Sequence, residues 1–240
     1  MNTSKATRQV VLDTETTGMN KDGNICLGHR IIEIGCVEVI NRRLTGRHYH
    51  VYIKPDREVD PEAIAVHGIT DEFLQDKPSF DDIADEFIDF IKGAELVIHN
   101  APFDVSFMDQ EFRFVNKKTQ PTEEIATVTD TLVMARKIFP GKRNNLDALC
   151  DRYGIDNTHR VLHGALLDAE ILADVYLFMT GGQKKLNLYS GEASENTTTR
   201  RVHKSHLPLT VIRATDVENE AHQKRLDIIE KSGSCLWRQS

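Results

Sequence analysis

The sequence predicts an α/β fold, a mixed sheet flanked by helices, antiparallel in its first strands and parallel in its later ones. Two observations carry this expectation. Strand-like apolar runs come first, one after another, and strand–helix alternation follows them. The chain is also long enough, at 240 residues with 40% hydrophobic and 28% charged, to bury a core without disulfide or metal staples.

The elements follow in order. Residues 9–13 (QVVLD) are a buried-strand run rich in β-formers, and residues 30–40 (RIIEIGCVEVI) read as a long strand. Asn41, Arg42 and Arg43 make a turn, and residues 46–53 return as a third strand in a hairpin or meander. Ser79-x-x-Asp82 resembles a capping box, and Ile83, Phe87, Phe90 and Ile91 have helical spacing behind it. Residues 95–99 are a short strand and 103–115 a helix, with Pro102 suited to a first helical position. A strand is expected at 125–129, then helices at 132–138 and 145–153, the second stopped by Gly154. Residues 163–179 form the last long helix, closed by Gly181 and Gly182.

Beyond that point the composition changes. Residues 189–206 are polar, rich in Ser and Thr, and read as a flexible linker. Residues 207–240 regain apolar character, and Leu226 and Ile229 suggest one short C-terminal helix, too little to fold independently. The chain holds 30 basic and 37 acidic residues. Of these, 10 and 7 fall in 183–240, so residues 1–182 carry 20 against 30. So acidic a domain is a poor match for phosphate backbones unless cations or partners help. No run of ~18 apolar residues is present, so no membrane span is expected. Cys26, Cys36, Cys150 and Cys235 form no C-x-x-C pair, which excludes a zinc finger of usual spacing and a disulfide framework. That usage suits a reducing, cytoplasmic location.

Three groups of polar residues carry chemistry. Asp13 and Glu15 close the first strand two residues apart, so both carboxylates face one side. Two carboxylates ~4 Å apart repel by roughly 4 kcal/mol at an effective dielectric of ~20, which a cation between them would relieve. Alone, the pair also fits a solvent-exposed strand edge. Asp104 sits at a strand-to-helix corner, where open α/β sheets keep their sites, although an acid there also suits the helix dipole. His163 and Asp168 are five residues apart, about 140° around a continuous helix, and share a site only if His163 precedes the helix proper. Gly164 eases such an entry, and an imidazole can accept a proton near neutral pH. An exposed histidine near a helix start fits equally well.

Together, Val11-Leu12-Asp13-Thr14-Glu15-Thr16-Thr17-Gly18, His99-Asn100-Ala101-Pro102-Phe103-Asp104 and the His-x-Ala-x-x-Asp of 163–168 resemble the DEDDh exonuclease family. The resemblance covers most of residues 8–180. It implies a ribonuclease H-like sheet, two divalent cations (Mg²⁺ or Mn²⁺) held by Asp13, Glu15, Asp104 and Asp168, and His163 as general base. Glycine at 164 departs from the Tyr-x-x-x-Asp of the tyrosine-base class. By the same resemblance Glu62 and His67, in residues 60–70, contact the 3′-terminal sugar or base, a segment that otherwise reads as a capped turn with a buried histidine. Thr16, with Asp13, Glu15 and Asp168, lies against the same nucleotide.

Residues 139–144, 179–183 and 233–237 are similar to members of the family that proofread for bacterial replicative polymerases. This implies an exonuclease domain over 1–182, a sliding-clamp motif at 183–188 (Gln183, Leu186, Leu188) and a polymerase-binding segment at 207–240. That segment carries Trp237, the single tryptophan, and would bind the catalytic (alpha) subunit. A small accessory (theta) subunit is a further partner the resemblance allows. Two alternatives use the same residues: a free-standing 3′–5′ exoribonuclease, and a noncatalytic tether between polymerase and clamp.

Overall fold

The computed structural model describes residues 8–115, 121–158, 160, 162–181, 214–233 and 236–238. The chain divides into two compact units, Met1–Lys185 and Leu186–Ser240.

The first unit is built on β1 (Arg8–Thr16), β2 (Ile31–Ile40), β3 (Arg43–Tyr52), β4 (Glu95–Ile98) and β5 (Thr127–Asp130). Their order across the sheet is β3-β2-β1-β4-β5. The pairs β1–β2 and β2–β3 are antiparallel, whereas β1–β4 and β4–β5 are parallel, as the order of apolar runs predicts. The β2–β3 turn is tighter than expected. Asn41 and Arg42, both with positive φ, form it alone, and Arg43 already starts β3.

Each residue of β1 chooses a layer by its parity. Val10 and Leu12 pack with α3 (Phe80–Ile91) and α4 (Pro102–Phe114), together with Phe87, Phe107 and Phe112. Val11 faces the other way, toward α7 (Leu146–Tyr153) and α8 (Ala165–Thr180), with Leu149, Leu172 and Val175. The helix caps expected at Ser79 and Asn145 are both formed. Gly35 lets α8 settle onto β2: a Cβ there would lie 2.2 Å from the Ala165 carbonyl carbon. Buried Glu33 completes that junction by accepting a hydrogen bond from Ala165 N at 3.1 Å.

Three departures from the sequence reading occur. Residues 61–67 form a real helix, α1 (Pro61–His67), and α2 (Asp71–Leu74) follows. Ile125, expected in a strand, ends the short α5 (Thr122–Ile125), so β5 starts two residues later. The last helix, expected from residue 163, begins only at Ala165, whereas α6 (Thr131–Ile138), capped by Asp130, forms where a helix was expected.

The second unit contains α9 (Asp216–Ser232), opened by a capping box of Thr215 and Glu218, and a single 3-10 turn at Leu236–Arg238. Arg238 folds back on α9, donating to Gln223, Asp227 and Glu230. Gln183, Leu186, Leu188 and the expected linker at 189–206 lie outside the described residues. Among the described residues no helix is long and apolar enough to cross a membrane.

Candidate active site

The strand parity that builds the core also builds the site. Asp13 and Glu15 share the odd face of β1, toward α8, which carries Asp168. Thr14 points to the even face, and there its hydroxyl donates to Asp104 Oδ1 at 2.7 Å. Asp104 reaches it from the first turn of α4, after a corner in which Asn100 takes a positive φ and Pro102 opens the helix. The four acids therefore arrive from both layers and meet at the carboxyl ends of β1 and β4. With Asn100, Asn145, Asp147 and His163 they line one cleft of about 270 Å³.

His163 stands before α8, which begins only at Ala165. Its backbone N–H donates to Val66 O at 3.2 Å, and its Nδ1 lies 3.2 Å from Asp168 Oδ2. Donor atoms of Glu15, His163 and Asp168 all come within 4.8 Å of one another.

The electrostatics are those of unmet negative charge. Burial pushes the Asp13 carboxyl well above its ordinary range, and Asp104, Glu15 and Asp168 add to the effect. Burial and the charges of Glu33, Asp168 and Asp104 raise Glu15 to about 8. Asp104, only 3% exposed, rises to about 7 through burial, while the Thr14 hydrogen bond works against the rise. Four convergent carboxylates, with Asp13, Glu15 and Asp104 resisting ionisation and oxygen the dominant donor, fit hard divalent cations.

One participant escaped the sequence reading. Arg160 Nε donates to Asp168 Oδ1 at 2.5 Å and Nη2 to Asp168 Oδ2 at 2.6 Å. The same guanidinium donates to Asp147 Oδ1 at 2.6 Å and to His163 Nδ1 at 2.7 Å. It is a resident counter-cation. An accepting Nδ1 leaves the ring proton of His163 on Nε2, so in this arrangement neither nitrogen is free to take a proton. Replacing Arg160 with glutamine is therefore expected to lower the metal-free melting temperature by several degrees, because Asp168 loses its buried partner. Mn²⁺ should bind about tenfold tighter once a competing charge is gone, as checked by electron paramagnetic resonance titration; equal affinity would make Arg160 a structural prop only.

A second cleft adjoins the first, about 260 Å³, lined by Glu15, Thr16, Met19, Glu62, Val66, His67 and Phe103 among others. The segment carrying Glu62 and His67 is thus beside the acids, on α1. Gly18 permits this approach: its φ is 137°, and a Cβ would lie 2.4 Å from Asp60 Oδ2. Glu62 is exposed and pairs with Lys21 at 3.3 Å. His67 is buried with both ring nitrogens engaged, Nδ1 accepting from Ile69 N at 3.0 Å and Nε2 facing Thr16 O at 3.3 Å. It is left with ring carbon to offer a ligand. His99 also lines the first cleft and bonds the Thr131 hydroxyl at 2.9 Å.

An exonuclease family model matches residues 10–176. DNA polymerase III subunit epsilon of Escherichia coli (strain K12) is 60% identical over 97% of this chain and 98% of its own length. The chain belongs to the exonuclease family of the DNA polymerase III epsilon subunits. The protein of that name in Haemophilus influenzae is 58% identical over 96% of this chain and 94% of its own. Among solved structures, exonuclease X in complex with 5′-overhanging duplex DNA superposes with a TM-score of 0.56 at 25% identity, covering 73% of this chain and 94% of its own. Exonuclease I, at 18% identity and a TM-score of 0.62 over 74% of this chain and 41% of its own, shares the fold. The resemblance drawn from the three acidic motifs is thereby borne out.

Proposed function

We propose that the chain is the proofreading 3′–5′ exonuclease of a replicative DNA polymerase, releasing nucleoside monophosphates from mispaired 3′ ends in the cytoplasm. The observation that carries this reading is the meeting of Asp13, Glu15, Asp104, Asp168 and His163 in one cleft. These four carboxylates would hold two divalent ions, Mg²⁺ or Mn²⁺, which supply stabilisation of the attacking and leaving oxygens of an in-line displacement at phosphorus.

The chain's own groups do the rest. His163 takes the proton of the attacking water once Arg160 has released Nδ1, which is then free to donate to Asp168 and leave Nε2 basic. Thr14 orients Asp104. The second cleft takes the terminal nucleotide: Thr16 and Glu62 offer polar contacts to the sugar, while Met19, Val66, Phe103 and the ring carbons of His67 face the base. A mispaired end is preferred because it is already frayed and reaches the cleft at low unpairing cost.

The tail supplies what an acidic domain lacks. Trp237 is 84% exposed, and Val217, Ile228 and Ile229 are exposed too. This apolar surface on a single helix and turn suits burial against the polymerase alpha subunit. Gln183, Leu186 and Leu188 are proposed to engage the sliding clamp, and a theta subunit remains compatible with the reading. Tethering raises the effective concentration of the primer end to the millimolar range, so weak intrinsic DNA binding is tolerable.

The test is release of mononucleotides from 3′-mispaired DNA in Mg²⁺ or Mn²⁺, with Asp13→Ala as control. Release by the wild type and none by the variant is expected. Binding without release would favour the noncatalytic tether, and a preference for RNA ends the exoribonuclease.

A further inference from the structure

The loop at 139–145 forms one wall approach to the catalytic cleft and is built unlike a mobile connector. Asn144 is buried, and its Nδ2 donates to Phe139 O at 3.2 Å and Lys142 O at 3.0 Å. Arg152 stacks over the Phe139 ring, 4.2 Å from its centroid, and donates to Arg143 O at 2.9 Å and Asn144 Oδ1 at 3.2 Å. Asn145 caps α7 and, with Leu146, lines the cleft itself.

Cations gather on this frame and on the end of α6 beside it, and Asp151 of α7 shares a surface cleft with Lys142 and Arg143 without an ion pair to either among the described residues. Arg136, Lys137, Lys142 and Arg143 are exposed, and among the described residues none of them makes an ion pair. Residues 131–146 contain no acid at all, in a domain with 30 acids against 20 bases. Several cations elsewhere in the unit are spoken for. Arg47 pairs with Glu38, Arg57 with Asp60 and Lys21 with Glu62, and Arg42 binds Leu177 O and Thr180 at the end of α8. The second cleft opens by α1, whereas this loop borders the first cleft from α7. A strand whose last nucleotide fills the second cleft and whose last phosphodiester lies at the acids has the loop as a neighbouring source of positive charge.

We propose that Lys142 and Arg143, supported by Arg136 and Lys137, bind the phosphate backbone of the DNA strand upstream of its 3′-terminal nucleotide. The inference rests on the reading of the cleft as a DNA exonuclease site. Such contacts carry no sequence information, which is what an enzyme that must accept any 3′ end requires. They also answer the charge problem locally, because each neutralised phosphate releases counterions.

The test uses the full chain carrying Lys142→Glu and Arg143→Glu together, with Lys142→Gln and Arg143→Gln as a second variant should charge reversal disturb the loop. Two substrates are compared: a single-stranded oligonucleotide, and the p-nitrophenyl ester of thymidine 5′-monophosphate, which has no upstream phosphate. KM for the oligonucleotide is expected to rise about tenfold. The slope of log(kcat/KM) against log[salt] should become shallower by roughly 1.4, two contacts at about 0.7 each. Turnover of the ester should not change. An unaltered oligonucleotide KM and salt slope would overturn the proposal, and so would an equal loss on both substrates, which would mean the loop shapes the cleft. Were the wild type to degrade neither substrate, the exonuclease reading would fail instead. Anisotropy of a labelled oligonucleotide would then still decide the loop's role, weaker binding by the variants supporting it and equal binding overturning it.

Discussion

Replacing His163 with alanine is expected to lower the exonuclease rate by about 10²–10⁴, the usual contribution of a positioned general base. The geometry favours this residue over its neighbours. His163 stands on the short segment ahead of α8, its side chain nearly half exposed, whereas the acids around it are held by strands and helices. An imidazole there can turn toward an attacking water without moving the carboxylates. Its loss should leave Mn²⁺ affinity close to that of the wild type, because the four acids remain. Added imidazole should restore part of the rate, since the cleft is open to solvent on that side. A variant that loses metal as well as rate would make His163 a ligand, a role its distance to Glu15 and Asp168 also allows. A variant with unchanged rate would remove the base assignment.

What the sequence made legible, and what it hid, follows from the range of each interaction. Asp13 and Glu15 were readable as a pair because strand parity acts over two residues. His163 and Asp168 were readable because helical geometry forbids their meeting unless the helix starts after Gly164, and it does start at Ala165. The mixed sheet was readable from the order of apolar runs. Arg160 was not, because it lies in a stretch without periodicity and its partners Asp147, His163 and Asp168 come from separate elements. Thr14 was hidden for the opposite reason: its parity points it away from Asp13 and Glu15, and only the fold brings Asp104 to meet it. The helix α1 went unread although Asp60, Pro61 and Glu62 are usual start residues, because it spans only seven residues, too few to show a helical period, and its Asp60 carboxylate pairs with Arg57 in place of capping the helix.

The raised carboxylates make a linked prediction about stability, pH and metal. Glu15 moves from an ordinary 4.5 to about 8 and Asp104 from 3.8 to about 7, both through burial first. The folded protein therefore keeps protons that the unfolded chain has already released. Stability from these groups is fully present below pH ~4 and is lost as pH rises through 7 and 8. The metal-free melting temperature should fall over that window, and Glu15→Gln should flatten the fall. Divalent cations reverse the sign, since they bind the ionised carboxylates and displace those protons. At a hundredfold excess over Kd the stabilisation is about 2.7 kcal/mol, worth about 5–10 °C for a domain of this size. Mg²⁺ or Mn²⁺ should thus raise the melting temperature by that amount at pH 8 and by far less at pH 5.5, where protons compete for the same oxygens. Differential scanning calorimetry at the two pH values reads both slopes. If the metal-free curve were flat from pH 5.5 to 8, or if the metal shift were equal at both, the four acids would not be the place where cations bind, and rate effects of their substitution would need another cause.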